Sequence, residues 1–84
     1  MKVIKRDGST VEFDRLKIVA AIQKANMAVD EPCRMDERSI EAIADSVAGK
    51  DRQRLLVEDI QDMVETKLMA AGKYELAKAY IRVY

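Results

Sequence analysis

Residues 2–14 read Lys2-Val3-Ile4-Lys5-Arg6-Asp7-Gly8-Ser9-Thr10-Val11-Glu12-Phe13-Asp14. Two short runs, Lys2 to Arg6 and Thr10 to Phe13, flank the pair Asp7-Gly8. That pair predicts a hairpin, because Asp and Gly tolerate the positive φ that tight hairpin turns require. A two-residue Asp7-Gly8 loop sets Ile4 opposite Val11 and Lys2 opposite Phe13. Val3 and Lys5 then share the other face with Glu12 and Thr10. A longer loop shifts this register.

Working outward, Asp14 is a good helix N-cap. The helix it opens runs to about Ala28, with Ile18, Ile22, Ala25 and Val29 at helical spacing. Pro32 interrupts any continuation, so residues 29–35 form a loop. Asp36 caps a second helix whose stripe is Ile40, Ile43, Ala44 and Val47, and Gly49 ends it as a C′ residue. Residues 52–56 read as a third strand or a loop. A third helix begins near Val57, turns Ile60, Val64, Leu68 and Ala71 inward, and stops at Gly72. Glu58 and Asp59 in its first turn suit the helix dipole. A fourth helix starts near Tyr74 and buries Leu76, Tyr80 and Val83. The helical pattern continues to Tyr84 without a cap, which suggests an N-terminal fragment of a longer chain.

The chain has 84 residues, 49% apolar and 36% charged. That is one small soluble domain, burying only about 60–65% of its unfolded surface. With no histidine and only Cys33, an internal disulfide, a Cys/His zinc site and His-based catalysis are excluded. No metal site is expected. No apolar run approaches a membrane span and the N-terminus lacks a signal-peptide core, so no membrane partner is expected. A lone cysteine suits a reducing cytoplasm. Fifteen basic residues balance fifteen acidic ones, which argues against direct nucleic-acid binding. The balance hides a polarity, since residues 1–24 carry a net +3 and residues 25–50 a net −3.

The basic end is the first candidate site. Arg15 and Lys17 lie in the first turn of a helix, where cations oppose the macrodipole. They make sense beside an anion, which helix-end N–H groups also attract. Lys5 and Arg6 on the hairpin tip could converge on the same polyphosphate. An ordinary basic hairpin tip is about equally consistent with the spacing. Val3, Phe13, Ile18 and Ile60 could sandwich a planar base, although core packing explains each of them more simply. Tyr74, Tyr80 and Tyr84 read as part core, part docking surface. Glu58, Asp59, Asp62 and Glu65 read as a solvated acidic face, and Met27, Met35, Met63 and Met69 as core filler. Without a P-loop, a His or a carboxylate cluster, no catalysis is expected.

The run Val3-Ile4-Lys5-Arg6-Asp7-Gly8, then Phe13-Asp14, Lys17-Ile18 and Ala21-Ile22, resembles the opening of an ATP-cone domain. Val57-Glu58-Asp59-Ile60-Gln61-Asp62-Met63-Val64-Glu65 and Leu76-Ala77-Lys78-Ala79-Tyr80-Ile81 also look like that family, in the right order over nearly the whole chain. The resemblance implies an α+β fold, a four-helix bundle under a small hairpin or three-stranded lid. It implies a regulatory domain that binds ATP or dATP, with Mg²⁺ as a candidate companion ion. The parent would be a ribonucleotide reductase catalytic chain, most like the anaerobic ribonucleoside-triphosphate reductase, controlled by domain docking or homo-oligomerisation through the cone. By the resemblance, Lys5, Arg6 and Lys17 hold phosphates, Val3, Ile18 and Ile60 contact the base, and Asp14 accepts from the adenine amino group. Gln61 lies near the ribose or a second nucleotide. Val11 and Val57 are apolar where some members carry hydrogen-bonding side chains. The alternatives are the cone of a nucleotide-sensing repressor, which requires an upstream zinc ribbon, and a structural protein-interaction domain with no nucleotide site.

Overall fold

The hairpin forms, with a loop one residue longer than the Asp7-Gly8 pair alone. In the computed structural model, which describes residues 2–49 and 54–83, strands β1 (Lys2–Ile4) and β2 (Thr10–Glu12) pair antiparallel. The register is Lys2 with Glu12, Val3 with Val11 and Ile4 with Thr10. The Lys5 N–H donates to the Ser9 carbonyl at 2.8 Å and the Gly8 N–H to the Lys5 carbonyl at 2.9 Å, so the loop is Arg6-Asp7-Gly8. Gly8 has φ +87°, and no non-glycine residue among those described has positive φ. A type I′ turn needs two such residues, so the chain adopts a type I turn followed by a left-handed glycine. Asp7 stabilises this turn by accepting from the Ser9 N–H at 2.9 Å and the Ser9 hydroxyl at 2.6 Å.

A third strand, β3 (Arg54–Leu56), pairs parallel with the other edge of β1, giving the order β2-β1-β3. This resolves the choice between strand and loop in favour of a strand. Four helices follow the expected stripes: α1 (Arg15–Asn26), α2 (Glu37–Ala48), α3 (Val57–Ala70) and α4 (Tyr74–Val83). Helix α1 packs on α2 and α4, and α3 packs on α4 and α2. Ile18, Ile22, Ile40, Val47, Val64, Leu68, Leu76 and Tyr80 are fully buried at their centre. Burial of each such aliphatic side chain contributes about 1.5–3 kcal/mol. Val3 and Leu55, paired across β1 and β3, are buried with them, which seats the sheet on the bundle. The result is α+β, four helices beneath a three-stranded mixed sheet.

The ends of the helices are set by local chemistry. Asp14 accepts from the Leu16 N–H at 3.0 Å and Asp36 from the Ser39 N–H at 3.2 Å, as N-caps should. Helix α1 stops at Asn26, short of Ala28. The Asn26 amide clamps the Met35 backbone, donating to its carbonyl and accepting from its N–H, each at 3.0 Å. Arg34 Nε donates to the Asn26 carbonyl at 2.9 Å and so covers the C-terminal end of α1. The intervening segment contains a single 3₁₀ turn, Glu31–Cys33, with Pro32 inside it. Gly72, at φ +77°, ends α3 in a Schellman arrangement. The Lys73 N–H reaches the Leu68 carbonyl and the Gly72 N–H reaches that of Met69. Gly49 departs from the expected C′ role, since it keeps right-handed φ −76° as the C-cap itself.

Burial corrects two other expectations, for Ala71 and for the methionines, and fits the mixed reading of the tyrosines. Ala71 is exposed. Met27 and Met69 are exposed, while Met35 is core and Met63 packs against it. Tyr74 is exposed and Tyr80 is buried; Tyr84 lies outside the described residues, as does the start of the expected strand at Arg52.

Candidate nucleotide cleft

A cleft of about 200 Å³ opens between the sheet and the first turns of α1 and α3. It is lined by Val3, Lys5, Val11, Glu12, Phe13, Asp14, Lys17, Ile18, Val57 and Ile60. The hairpin register assembles one wall. Side chains alternate across a strand, so pairing Val3 with Val11 puts Val3, Lys5, Val11 and Phe13 on one face. The two-residue loop would have turned Val11 and Phe13 away from Val3 and Lys5. Helix periodicity builds the floor. Ile18 is one turn beyond the Asp14 cap and Ile60 lies in the first turn of α3, both buried.

Eight of the ten sequence-derived site residues line this cleft: Val3, Lys5, Val11, Asp14, Lys17, Ile18, Val57 and Ile60. Arg6 and Gln61 do not. They meet each other beside it, Arg6 Nη2 donating to Gln61 Oε1 at 2.9 Å. Arg6 Nε also lies 3.6 Å from Glu58 Oε1. An adjoining hollow, lined by Lys5, Arg6, Asp7 and Val57, shares Lys5 and Val57 with the cleft.

The electrostatics divide the cations into two groups. Lys5 and Lys17 close no ion pair among the described residues. Arg15, expected to face an anionic ligand, turns instead to α2, where it pairs with Glu41 and lies 2.9 Å from Asp45. These carboxylates, Glu41 foremost, raise the Arg15 pKa further above its ordinary value. Arg15 is thus an interhelical strut. The helix end is less open than its N-terminal position suggests. The Leu16 N–H is taken by the Asp14 carboxylate and the Lys17 N–H by the Asp14 carbonyl at 3.0 Å. An anion at this cleft would be met by the side chains of Lys5 and Lys17.

Glu12 also lines the cleft, although the observed register pairs it with Lys2, on the face opposite Val3 and Val11. Its carboxylate accepts from Lys2 Nζ at 2.6 Å, and this bond holds its pKa below the usual carboxylate range. No group of three or more His, Cys, Asp or Glu among the described residues is placed to hold an ion. No helix among the described residues is long and apolar enough to cross a membrane.

Comparison with known proteins adds an independent line. The chain matches the family described as ATP cone domain over residues 1–84. It is 42% identical over 87 residues to a vitamin B12-dependent ribonucleoside-diphosphate reductase of Thermoplasma acidophilum, covering 95% of this chain and 11% of the relative. It is 34% identical over 88 residues to a ribonucleoside-diphosphate reductase subunit alpha of Chlamydia pneumoniae, covering 94% and 8%. It is 38% identical over 80 residues to an anaerobic ribonucleoside-triphosphate reductase of Haemophilus influenzae, covering 94% and 11%. The chain therefore corresponds to a small part of each relative. Fold, cleft and sequence converge, and the chain belongs to the ATP-cone family of nucleotide-binding regulatory domains.

Proposed function

We propose that the cleft binds ATP or dATP and that its occupancy regulates a ribonucleotide reductase catalytic chain of which this domain is part. The observation that carries the reading is one cleft in which an apolar floor meets two cations that close no ion pair among the described residues. A nucleotide needs both, a dry surface for the base and positive charge for the phosphates. Val3, Ile18 and Ile60 take the base, with Val11 and Val57 adding apolar contact where a polar side chain would have read the base edge. Asp14 uses one carboxylate oxygen as helix cap and offers the other to the adenine amino group. Lys5 and Lys17 hold the phosphate chain as it leaves the cleft, and Arg6 and Gln61 stand beyond them for its far end or the ribose. Mg²⁺ enters as companion of the phosphates.

The domain carries no catalysis of its own. It acts through the parent chain, by docking or by homo-oligomerisation, with ATP favouring the active assembly and dATP the inactive one. Such control requires the two ligands to differ in affinity for the two assemblies. The relatives that match include three kinds of reductase, and the anaerobic ribonucleoside-triphosphate enzyme is the parent we favour from the IQDMVE and ELAKAYI segments. The test is a calorimetric titration of the 84-residue chain with ATP and with dATP. Saturable heat with either supports the site. Its absence with both removes the nucleotide reading and leaves a protein-interaction domain.

A further inference from the structure

Arg6, which the resemblance sets at the phosphates with Lys5 and Lys17, is engaged outside the cleft. Its guanidinium lies between Gln61 Oε1, at 2.9 Å, and Glu58 Oε1, at 3.6 Å, both on the first two turns of α3. This ties the hairpin tip to a different element from the one that carries Lys17. The adjoining hollow, where a phosphate chain leaving the cleft would pass, is lined by Lys5, Arg6, Asp7 and Val57. Two anionic groups are thus within reach of Arg6: the Glu58 carboxylate it lies beside and a phosphate entering that hollow.

We propose that Glu58 is an affinity-setting residue that competes with the ligand for Arg6, so that nucleotide entry unclasps the hairpin tip from α3. This rests on the nucleotide reading of the cleft. Glu58 is well suited to the part. It lies in the first turn of α3, where the helix dipole favours a negative charge, and beside Arg6. The pair is exposed, with side chains 61% and 63% accessible, so water screens it and it breaks readily. A triphosphate concentrates several charges on oxygens that a guanidinium can grip in a bidentate manner. The exchange gives the cleft a mechanical output, because binding removes a tether between lid and bundle. By linkage, weakening the tether must strengthen binding.

The experiment is a double-mutant cycle read by calorimetric titration with ATP on wild type, Glu58→Gln, Arg6→Ala and the double variant. Both positions are exposed, so folding is preserved, and a melting curve for each protein confirms it. An exposed ion pair released in this way predicts that Glu58→Gln binds ATP about 1.5- to 5-fold more tightly than wild type. In the Arg6→Ala background the same substitution changes affinity by less than that factor. Saturable binding to wild type with no gain in Glu58→Gln overturns the clasp and leaves the nucleotide site standing. An equal gain with and without Arg6 also overturns it, since Glu58 would then act only through its diffuse field. No saturable heat in wild type or Glu58→Gln removes the site and the clasp together.

Discussion

Lys17→Ala is the substitution that best separates a phosphate site from a general basic field. Lys17 sits in the first turn of α1, lines the cleft and closes no ion pair among the described residues. Removing its ammonium therefore breaks no described ion pair and relieves an unfavourable contact with the helix dipole, worth a few tenths of a kcal/mol. The empty protein should melt at the same temperature or slightly higher. On the proposed reading, bound nucleotide adds a charge-assisted hydrogen bond from this ammonium to phosphate, worth about 1.5–3 kcal/mol. Its loss should weaken ATP binding by about 10- to 150-fold. The control is Lys24→Ala. Lys24 lies seven residues further along the helix, about 10 Å away by the helical rise. It lines a separate hollow between α1 and α4 with Ala28, Glu75, Lys78 and Arg82. At that distance and in 0.15 M salt its field at the cleft is largely screened, so affinity should change by less than about 2-fold. Calorimetric titration of the three proteins decides the matter. Equal losses for Lys17→Ala and Lys24→Ala would refute a specific contact at the start of α1.

Three further outcomes follow from the same geometry. Nucleotide at about 100 times Kd should stabilise the domain by about 2.7 kcal/mol and raise Tm by roughly 10–20 °C, and a melting curve unmoved by millimolar ATP and dATP would count against the site. Gly72→Ala places a Cβ in open space but at φ +77°, so its cost is conformational, about 1 kcal/mol or roughly 4–8 °C in Tm; an unchanged Tm would contradict the left-handed cap. Asp36 is held below its ordinary pKa of 3.8, chiefly by the Ser39 hydroxyl and then by the Ser39 N–H. A depressed folded-state value means its stabilising effect is present above the unfolded pKa and is lost as pH falls through the folded one. The Tm gap between wild type and Asp36→Ala should therefore be full at pH 7 and close below about pH 4. A gap independent of pH would show that the carboxylate charge plays no part in the cap.

Periodicity and capping chemistry by themselves determined the helical half of this protein. The stripe Ile40, Ile43, Ala44 and Val47 is buried as spaced, because an amphipathic helix has only one way to hide a row of apolar residues. Asp14 and Asp36 mark helix starts because their side chains satisfy N–H groups within three residues, an interaction that needs no partner element. The convergence of Lys5 and Lys17 was likewise legible, since a hairpin that feeds straight into a helix must carry both to the same end. Tertiary structure decided what depends on a second element. The hairpin register turns on a single residue of loop length, settled by which positions reach positive φ, and it alone brings Val11 and Phe13 round to Val3 and Lys5. Arg54–Leu56 is too short to show a period and becomes a strand because the free edge of β1 supplies its hydrogen bonds. The destinations of the arginines were also beyond local reading. Arg15 finds Glu41 and Asp45, 26 and 30 positions away, and Arg6 finds Gln61, 55 away. A long flexible cation takes the nearest oxygen acceptor in space, carboxylate or amide, and only the packing of α1 on α2, and of the sheet on α3, determines which one that is.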